Sequence, residues 1–234
     1  MKRALKLLIL AAALGQITAS VAEQSPGNLN FHLDPKTLSV QAKAEELFLS
    51  EQYRRAHIVY LNDLAPIGDK YAQYMIGFMY LSGLGVDPDP VLASAWYRLA
   101  AERGGPGEFA KIRDGLLEQL DESERARSEQ VYRELRREYS DISISMREAL
   151  EEFENMPQIS TGSRVGNDSS AITIVDPRPG STSSVDALVR RAQLRLQRHL
   201  DRITETLGID GIDAKRVTLA DLEDLEVQVS EHLR

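Results

Sequence analysis

The sequence predicts an all-α fold: a short α-solenoid of helix pairs, followed by a flexible linker and a C-terminal helical hairpin. Apolar residues recur at steps of three and four through most of the chain, which is the spacing of one helix face. Ala56 and Tyr60 are followed 37 residues later by Ala93 and Tyr97, and helical pairs that repeat at such a distance form solenoids. From residue 156 to 184 the chain is rich in Pro, Gly, Ser, Thr and Asn, a composition typical of linkers.

Residues 1–22 have the pattern of a signal peptide. Basic residues precede the apolar run LLILAAALG, and Ser20-Val21-Ala22 provides the small residues that signal peptidase recognises. The chain contains no cysteine, so neither a lipobox nor a disulfide is available. We therefore expect a periplasmic or secreted protein, and an anchor that is not cleaved is the alternative. Residues 23–38, which contain two prolines, are expected to form an extended lead-in.

The charge balance of the chain is acidic, with 36 Asp and Glu against 28 Lys and Arg, a net charge of −8. Removal of residues 1–22 takes away positive charges only and makes the balance more acidic. Because nucleic acids and anionic lipid surfaces attract basic proteins, we expect no nucleic-acid binding. We also expect no stable membrane insertion after signal cleavage.

Residues 72–104 are the most informative stretch, and they predict one helix, a glycine turn and a second helix. Small residues on the first helix let a neighbouring helix approach closely, and the turn glycines permit a left-handed backbone. Asp89-Pro90 suits the start of the second helix, because Asp caps free N–H groups and proline fits the first helical position. The residues that define the pattern are Ala72, Ile76, Gly77, Tyr80, Gly83, Gly85, Val86, Ala93, Trp96, Ala100, Ala101 and Gly104.

These residues and their spacing resemble the Sel1-like repeat, a relative of the tetratricopeptide repeat, with Ile76 in place of the usual leucine. The resemblance covers less than half of the chain. It implies a paired-helix scaffold that binds another protein, in which the pattern residues are structural. Trp96 and Tyr97 are interpreted as core residues, with ligand contacts as the alternative.

A solenoid with capping helices is predicted for residues 39–140. The first repeat is degenerate, because Ser50-Glu51-Gln52 replaces the glycine turn and the tryptophan is missing. A capping helix follows at 107–120. Asp121 and Glu124 then have the form of a capping box and open a charged helix. We interpret that helix as a solvated element that seals the solenoid, and a basic docking surface is the alternative.

The candidate partner-binding residues are Met75, Phe78 and Met79, at positions that the repeat pattern leaves variable. If these apolar side chains are exposed, they form a docking patch for another protein, expected to be located in the cell envelope. The alternative is that they pack against the flanking charged helix or the degenerate first repeat.

Residues 141–184 are interpreted as a short helix and a Pro/Gly/Ser-rich linker. Residues 171–175 within the linker are compatible with one short strand, which needs an edge to pair with. Part of the linker is similar to the start of the plug domain of outer-membrane TonB-dependent receptors, but too little chain follows to form a barrel.

Residues 185–234 predict a helical hairpin. An apolar stripe along 185–207 is expected to face a second stripe on a helix capped by Thr218 and Asp221. Arginines beside the first stripe and the acidic face of the last helix are expected to flank this contact with opposite charges. Two alternatives remain for 185–207: its arginines bind a phosphate-bearing ligand or membrane surface, or its apolar stripe drives self-association.

No catalytic or metal-binding pattern is present in the sequence. The loop 210–221 differs from a calcium loop, because Ile212 and Ala214 replace oxygen ligands and Lys215 replaces the required glycine. The four histidines have no neighbour at metal-ligand spacing, and no nucleophile elbow or phosphate-binding glycine loop occurs. We therefore predict a non-enzymatic scaffold without a cofactor, and an enzyme or accessory subunit acting on the cell envelope is the alternative.

Overall fold

The computed structural model describes residues 35–102, 107–156, 173–175 and 182–234. The chain divides into two compact units, residues 1–141 and 142–234, and each is described by itself. The first unit contains α1 (Pro35–Leu49), α2 (Tyr53–Val59), α3 (Lys70–Ser82), α4 (Pro90–Ala100), α5 (Gly107–Gln119) and α6 (Glu122–Tyr139). The second contains α7 (Asp141–Glu154), which begins at the boundary, β1 (Thr173–Val175), β2 (Thr182–Ser184), α8 (Val185–Leu207) and α9 (Leu219–His232). Apart from the two short strands, the described elements are helical, so the all-α prediction is confirmed.

α3 and α4 form the helix pair that the sequence predicts. Asp69 caps α3 by accepting a hydrogen bond from the backbone N–H of Ala72 at 2.8 Å. Asp89 caps α4 by accepting one from Val91 at 2.9 Å, and proline occupies the first helical position as predicted. Each cap satisfies N–H groups that a helix leaves without an internal partner, so both helix starts are fixed by local chemistry.

The two helices approach closely at Gly77. A Cβ added to this glycine would lie 3.0 Å from the Tyr97 ring, tighter than most real Cβ contacts. The prediction that small residues allow close packing is therefore confirmed at this position. Gly104 lies outside the described residues. The buried pattern residues of the pair are Ala72, Ile76, Ala93, Trp96 and Ala100.

The turn between α3 and α4 depends on two glycines in the left-handed region, Gly83 with φ 70° and Gly85 with φ 75°. They differ in the space around them. A Cβ on Gly85 would lie 2.5 Å from backbone atoms of Tyr53 and Arg54, whereas the nearest neighbour of a Cβ on Gly83 is the Pro88 ring at 3.4 Å. Gly85 therefore lets the turn lie directly against the start of α2.

We expect Gly85→Ala to destabilise the first unit by about 2–5 kcal/mol. The left-handed backbone costs alanine about 1–2 kcal/mol, and displacing the start of α2 adds about 1–3 kcal/mol. Gly83→Ala is the matched control and should cost only the first of these amounts. Urea unfolding followed by the fluorescence of Trp96, the single tryptophan of the chain, measures both variants. Equal losses for the two variants would contradict the contact with α2 as the cause.

α1 and α2 form the degenerate first repeat. α1 begins at Pro35, so it includes four residues of the segment 23–38 for which an extended conformation is predicted. Glu51, with φ 60°, makes the turn that a glycine makes in the next repeat. After α2 the chain widens into a π turn over Tyr60–Leu64 and closes in a 3-10 turn over Ala65–Ile67. These turns place three further buried side chains, Tyr60, Leu64 and Ala65, in the core.

α5 and α6 complete the first unit. The predicted capping box is confirmed: Asp121 accepts a hydrogen bond from the Glu124 N–H at 2.9 Å, and the Glu124 carboxylate accepts one from the Asp121 N–H at 2.8 Å. α6 packs on α4, where the centres of the Trp96 and Tyr139 rings lie 5.0 Å apart. The charged helix α6 thus covers the solenoid core, in agreement with its interpretation as a sealing helix.

The second unit has one apolar core made by three helices, α7, α8 and α9. The predicted hairpin of α8 and α9 is present, and α7 completes it. The stripe on α8 that the sequence offered for self-association faces this shared core. The buried residues of this core include Ile142, Met146 and Ala149 of α7, Leu196, Leu200 and Ile203 of α8, and Leu222, Leu225 and Val229 of α9.

The arginine row of α8 has partners on α7. Arg195 donates two hydrogen bonds to the carboxylate of Glu152, at 2.7 and 2.6 Å. Arg202 donates to the Ser145 hydroxyl at 3.3 Å. For these two arginines, the prediction that the acidic face of α9 provides the partners is therefore wrong. α9 begins with the predicted capping box at Thr218.

The two strands belong to the predicted linker. β1 and β2 pair antiparallel, with Ile174 opposite Ser183, so the predicted strand has its pairing edge within the linker itself. Residues 157–172 and 176–181, which include most of the segment similar to the receptor plug, lie outside the described residues.

Candidate functional site

Met75, Phe78 and Met79 do not form an exposed patch. Their relative exposures are 1%, 8% and 0%. The Phe78 ring lies 6.2 Å from the ring of Phe48 on α1, so the first repeat covers this side of α3. The prediction of a docking patch at these residues is therefore wrong, and packing against the degenerate first repeat, the alternative weighed beside it, is what the structure contains.

An open groove of about 620 Å³ lies between the end of α4 and the helices α5 and α6. Small-molecule pockets are lined mostly by apolar side chains, whereas six of the nine residues that line this groove are arginines or glutamates. Arginine and tyrosine, both present in its lining, are the residue types that most often carry the energy of protein–protein contacts. The groove is lined by Arg98, Ala101, Glu102, Arg113, Leu117, Glu118, Arg125, Glu129 and Tyr132.

One wall of the groove is a stack of Arg98 on Tyr132. The central carbon of the Arg98 guanidinium lies 3.9 Å from the centre of the Tyr132 ring, a favourable cation–π arrangement. The same guanidinium pairs with Glu129 of α6 at 2.7 Å. Because α4 and α6 both hold this stack, the cation and the ring keep fixed positions before any partner arrives.

The rim of the groove carries two more arginines. Arg125 donates hydrogen bonds to the carbonyl oxygens of Leu117 at 2.8 Å and Glu118 at 3.2 Å, at the end of α5. A cation is stabilised there because the last carbonyls of a helix carry partial negative charge. Arg113 pairs with its neighbour Asp114 at 2.8 Å. The rim therefore presents guanidinium groups that local partners orient.

The floor of the groove is Glu102. Its carboxylate accepts a hydrogen bond from the Tyr132 hydroxyl at 3.0 Å, and Arg136 Nε lies 3.5 Å away. Burial raises the pKa of Glu102, while the charge of Lys70 opposes the rise. Burial also raises the pKa of Tyr132, so its hydroxyl stays protonated and remains a donor to Glu102.

Lys70 lies behind this floor and is buried, with 2% relative exposure. Its ammonium donates to the Leu99 carbonyl oxygen at 2.9 Å and pairs with Asp141 at 2.8 Å. Glu102 is the second carboxylate near it, at 4.0 Å. A buried ammonium is tolerated only when it is both paired and hydrogen-bonded. The groove floor thus rests on an ion network that serves the fold.

The Sel1 repeat family profile matches residues 70–105 and also residues 1–16. The first of these matches spans α3, the glycine turn and α4, whose caps and close approach are described above. The chain carries a Sel1 repeat. Sel1 repeats mediate protein–protein interactions and are typically non-catalytic. No curated protein and no solved structure has significant similarity to the chain.

The match at residues 1–16 falls on the segment that the sequence predicts to be a signal peptide, and this segment lies outside the described residues. The groove is on the unit that carries the Sel1 repeat, and α4 belongs both to the repeat and to the groove. The second helix of the Sel1 repeat thus contributes Arg98 to the lining, and Ala101 and Glu102 directly follow its end.

None of the groove residues was named as a partner-binding residue from the sequence, although a docking surface on the charged helix, now α6, was the alternative weighed there, and Ala101 was predicted as a structural residue of the repeat. One signal for the ion network behind the groove floor was available, namely Lys70 at the start of α3. The positive end of the helix dipole disfavours a cation, and a lysine that is also buried there needs carboxylates nearby. The structure provides them as Glu102 and Asp141. Glu102 follows the end of α4 and Asp141 begins α7, so both are far from Lys70 along the chain and spacing does not reveal the pairing.

Among the described residues, no group of three His, Asp or Glu side chains is placed to hold a metal ion. His57 is a buried ring whose centre lies 5.3 Å from that of Tyr80, and burial lowers its pKa, so it packs as a neutral core side chain. In the same part of the chain, no helix combines the length and the apolar character needed to cross a membrane.

Proposed function

We propose that this chain is a non-enzymatic scaffold that binds a partner protein in the groove formed by α4, α5 and α6. The observation that carries the proposal is the stack of Arg98 on Tyr132, held between the Sel1 repeat and α6. Fixed arginine and tyrosine side chains lose little conformational entropy when a partner binds. Sel1 repeats generally bind other proteins, which supports a protein as the partner.

The lining favours a partner segment that carries charges of both signs. Three arginines and three glutamates face the groove, and Leu117 provides an apolar contact between them. A strongly acidic or strongly basic segment would bring like charges together at half of these positions, which is unfavourable. We therefore expect an extended or helical segment in which acids, bases and an apolar residue are mixed.

A photo-crosslinking residue introduced at Leu117 tests the groove. We expect it to capture a protein in cells that the same residue at Leu49, an exposed position on α1, does not capture. Mass spectrometry identifies the captured protein, and its affinity for the purified chain is then measured by calorimetry. Arg113→Glu should weaken that affinity at least about tenfold, which is about 1.4 kcal/mol, because it replaces an arginine of the lining by a like charge for the partner's acids.

The matched control is Arg137→Glu, which changes the charge equally at an exposed position of α6 outside the groove lining. It should leave the affinity within about twofold, because isolated surface charges contribute little. The groove would not be the binding surface if both variants weakened the affinity equally, or if crosslinkers at Leu117 and Leu49 captured the same proteins.

We further propose that the scaffold is exported and loses residues 1–22. The support is the basic start, the short apolar run and the Ser20-Val21-Ala22 cleavage pattern. Sequencing the N-terminus of the chain isolated from the cell envelope should give Glu23. A mature chain that still begins at Met1 would overturn cleavage, and it would favour a role for residues 1–16 in the Sel1 array that they match.

An enzyme acting on the cell envelope is the alternative, and the groove does not favour it. Glu102 is engaged by Tyr132, Arg136 and Lys70, so its charge already serves the fold. Hydrolysis of peptidoglycan fragments by the purified chain, lost in Glu102→Gln, would replace the scaffold proposal.

A further inference from the structure

One exposed face of α1 carries apolar residues. Leu38, Ala42 and Leu49 follow one another at steps of four and seven residues, so they share one face of the helix. Leu38 is 44% exposed, Leu49 is 82% exposed, and Ala42 is exposed as well. Glu45 lies on the same face between Ala42 and Leu49, so the uninterrupted apolar part is at the start of α1. We call Leu38, Ala42 and Leu49 the outer stripe.

The core of the first unit uses the other side of α1. Ala44 and Leu47 are buried there, and Phe48 lies beside Phe78 of α3. A repeat in a solenoid buries its apolar surface only against its neighbours, and the terminal repeat therefore needs a cap on its outer side. Among the described residues no repeat precedes α1, so its outer stripe lacks the neighbour that α3 has on both sides.

The sequence just before α1 has a pattern that suits the outer stripe. Residues 29–33 read Leu-Asn-Phe-His-Leu, so apolar and polar side chains alternate, which is typical of an extended segment with one apolar face. On such a segment Leu29, Phe31 and Leu33 face the same side. The pattern agrees with the extended conformation expected for the lead-in, of which residues 23–34 lie outside the described residues.

The junction with α1 directs Leu33 towards the outer stripe. Asp34-Pro35 repeats the pair Asp89-Pro90, in which the aspartate caps α4 and the proline takes the first helical position. With Asp34 as the cap of α1, Leu33 precedes the cap and Leu38 is the fourth helical residue. Apolar residues at these two positions often pack together as a hydrophobic staple, which fixes the direction in which the chain enters the helix.

Beyond this staple, the spacings of the two segments agree. Side chains on one face of an extended segment are about 6.6–6.8 Å apart. Residues four apart on a helix are about 6.0 Å apart along its axis. With Leu33 on Leu38, Phe31 therefore falls on Ala42, whose small side chain leaves room for the ring. Leu29 then reaches the next turn of α1, on the way to Leu49.

We propose that residues 29–33 of the same chain bind along the outer stripe as an extended strap and cap the first repeat. Leu33 packs on Leu38, Phe31 packs on Ala42, and Leu29 extends the contact towards Leu49. The strap follows Ala22, so it stays with the chain when residues 1–22 are removed. It binds α1, whereas the groove is formed by α4, α5 and α6, so partner binding in the groove does not depend on it.

Disulfide formation tests the strap, because the chain has no cysteine of its own. The full chain with Phe31→Cys and Ala42→Cys is treated with a mild oxidant, and most molecules should form a bond within the chain. The matched control is Phe31→Cys with Lys43→Cys. Lys43 is exposed and only one residue further along the chain, but it lies about 100° around the helix. The first pair should react at least about five times faster, because a disulfide requires Cα atoms within about 7 Å.

Three results would contradict the strap. Equal rates for the two pairs, or no bond in either, would show a segment that does not bind the outer stripe. Bonds between chains instead of within one would assign the outer stripe to a second copy. A faster bond from Leu8→Cys than from Phe31→Cys to Ala42→Cys would assign it to residues 1–16, which match the Sel1 profile.

Hydrogen exchange gives a second measurement that needs no cysteine. Leu33→Ser removes the staple and should speed the exchange of backbone N–H groups in the first half of α1 at least about tenfold. Asn30→Ser is the matched control, because Asn30 belongs to the alternate set that faces away from α1, and it should leave the exchange within about twofold. The proposal is overturned if the two variants exchange at the same rate. Circular dichroism checks that every variant keeps its helices.

Discussion

Met79→Glu is expected to unfold the first unit. Met79 has no exposed surface, and it belongs to the core cluster that joins the first repeat to the Sel1 repeat. An unpaired carboxylate in such a site costs several kcal/mol, and the lost packing of the methionine adds about 2–5 kcal/mol. Since domains are stable by about 5–15 kcal/mol, the sum removes most or all of the stability. Trp96 is buried in the same cluster, so its fluorescence should move to the wavelength of a solvated indole.

Two matched variants test whether the loss of stability comes from placing a charge at a buried position. Met79→Leu keeps volume and polarity and should cost less than about 1.5 kcal/mol. Ile58→Glu places the same charge at an apolar residue that is 49% exposed, and it should change the stability by no more than about 0.5 kcal/mol. The result would be contradicted if Met79→Glu melted cooperatively at nearly the same temperature as the unsubstituted chain and lost only partner binding. The docking patch that the sequence suggests would then be the better interpretation.

The fold was largely predictable because its signals are local. The caps at Asp69 and Asp89, the left-handed glycines and the small residue at Gly77 each act within a few residues or within one helix pair. The Sel1 repeat could therefore be located from its own residues. The start of α1 and the π turn after α2 were not predictable, because tertiary packing fixes how far a marginal helix extends.

The site was not predictable, because burial at α3 depends on neighbours from both sides. Phe48 of α1 lies against Phe78, and the ring of Phe109 on α5 stacks 4.6 Å from that of Tyr74. Covered in this way, α3 is buried around nearly its whole circumference, and a helix that is apolar all round is typical of such a position. The apolar character of Met75, Phe78 and Met79 was thus a sign of burial. The groove residues lie three or four apart within each of three segments, but nothing in the sequence shows that these three faces meet.

The second unit shows the same limit. The stripes of α8 and α9 are evident in the sequence, but the share of α7 in their core is not, because its buried residues are concentrated between Ile142 and Ala149 and include serines, so they form no long apolar stripe. Once α7 contributes Ile142, Met146 and Ala149, the long stripe of α8 has enough apolar partners within one chain. The apolar stripe of α8 is therefore covered within one chain, and the alternative that it drives self-association is not supported.

Lys70→Ala is expected to destabilise the first unit by about 3–5 kcal/mol at neutral pH. The variant removes the ammonium that pairs with Asp141 at 2.8 Å and lies 4.0 Å from Glu102, and it leaves both carboxylates without it. Breaking a buried ion pair from one side costs this much because the remaining charge stays desolvated. Lys43→Ala is the matched control: Lys43 is exposed on α1, and its loss should change the stability by no more than about 0.5 kcal/mol.

The stability lost in Lys70→Ala should depend on pH, because it depends on the charge of Glu102. Burial raises the pKa of Glu102 in the folded chain, and Lys70 opposes that rise, so the variant raises this pKa further. A folded state with the higher pKa binds more protons than the unfolded state between the two values, so its stability decreases as the pH rises through that range. The difference between Lys70→Ala and the unsubstituted chain should therefore shrink as the pH falls towards about 4.3, the ordinary pKa of glutamate. Urea unfolding at several pH values, followed by Trp96 fluorescence, measures it. A difference that stays constant with pH would show that the lysine stabilises the unit through packing of its methylene groups rather than through its charge.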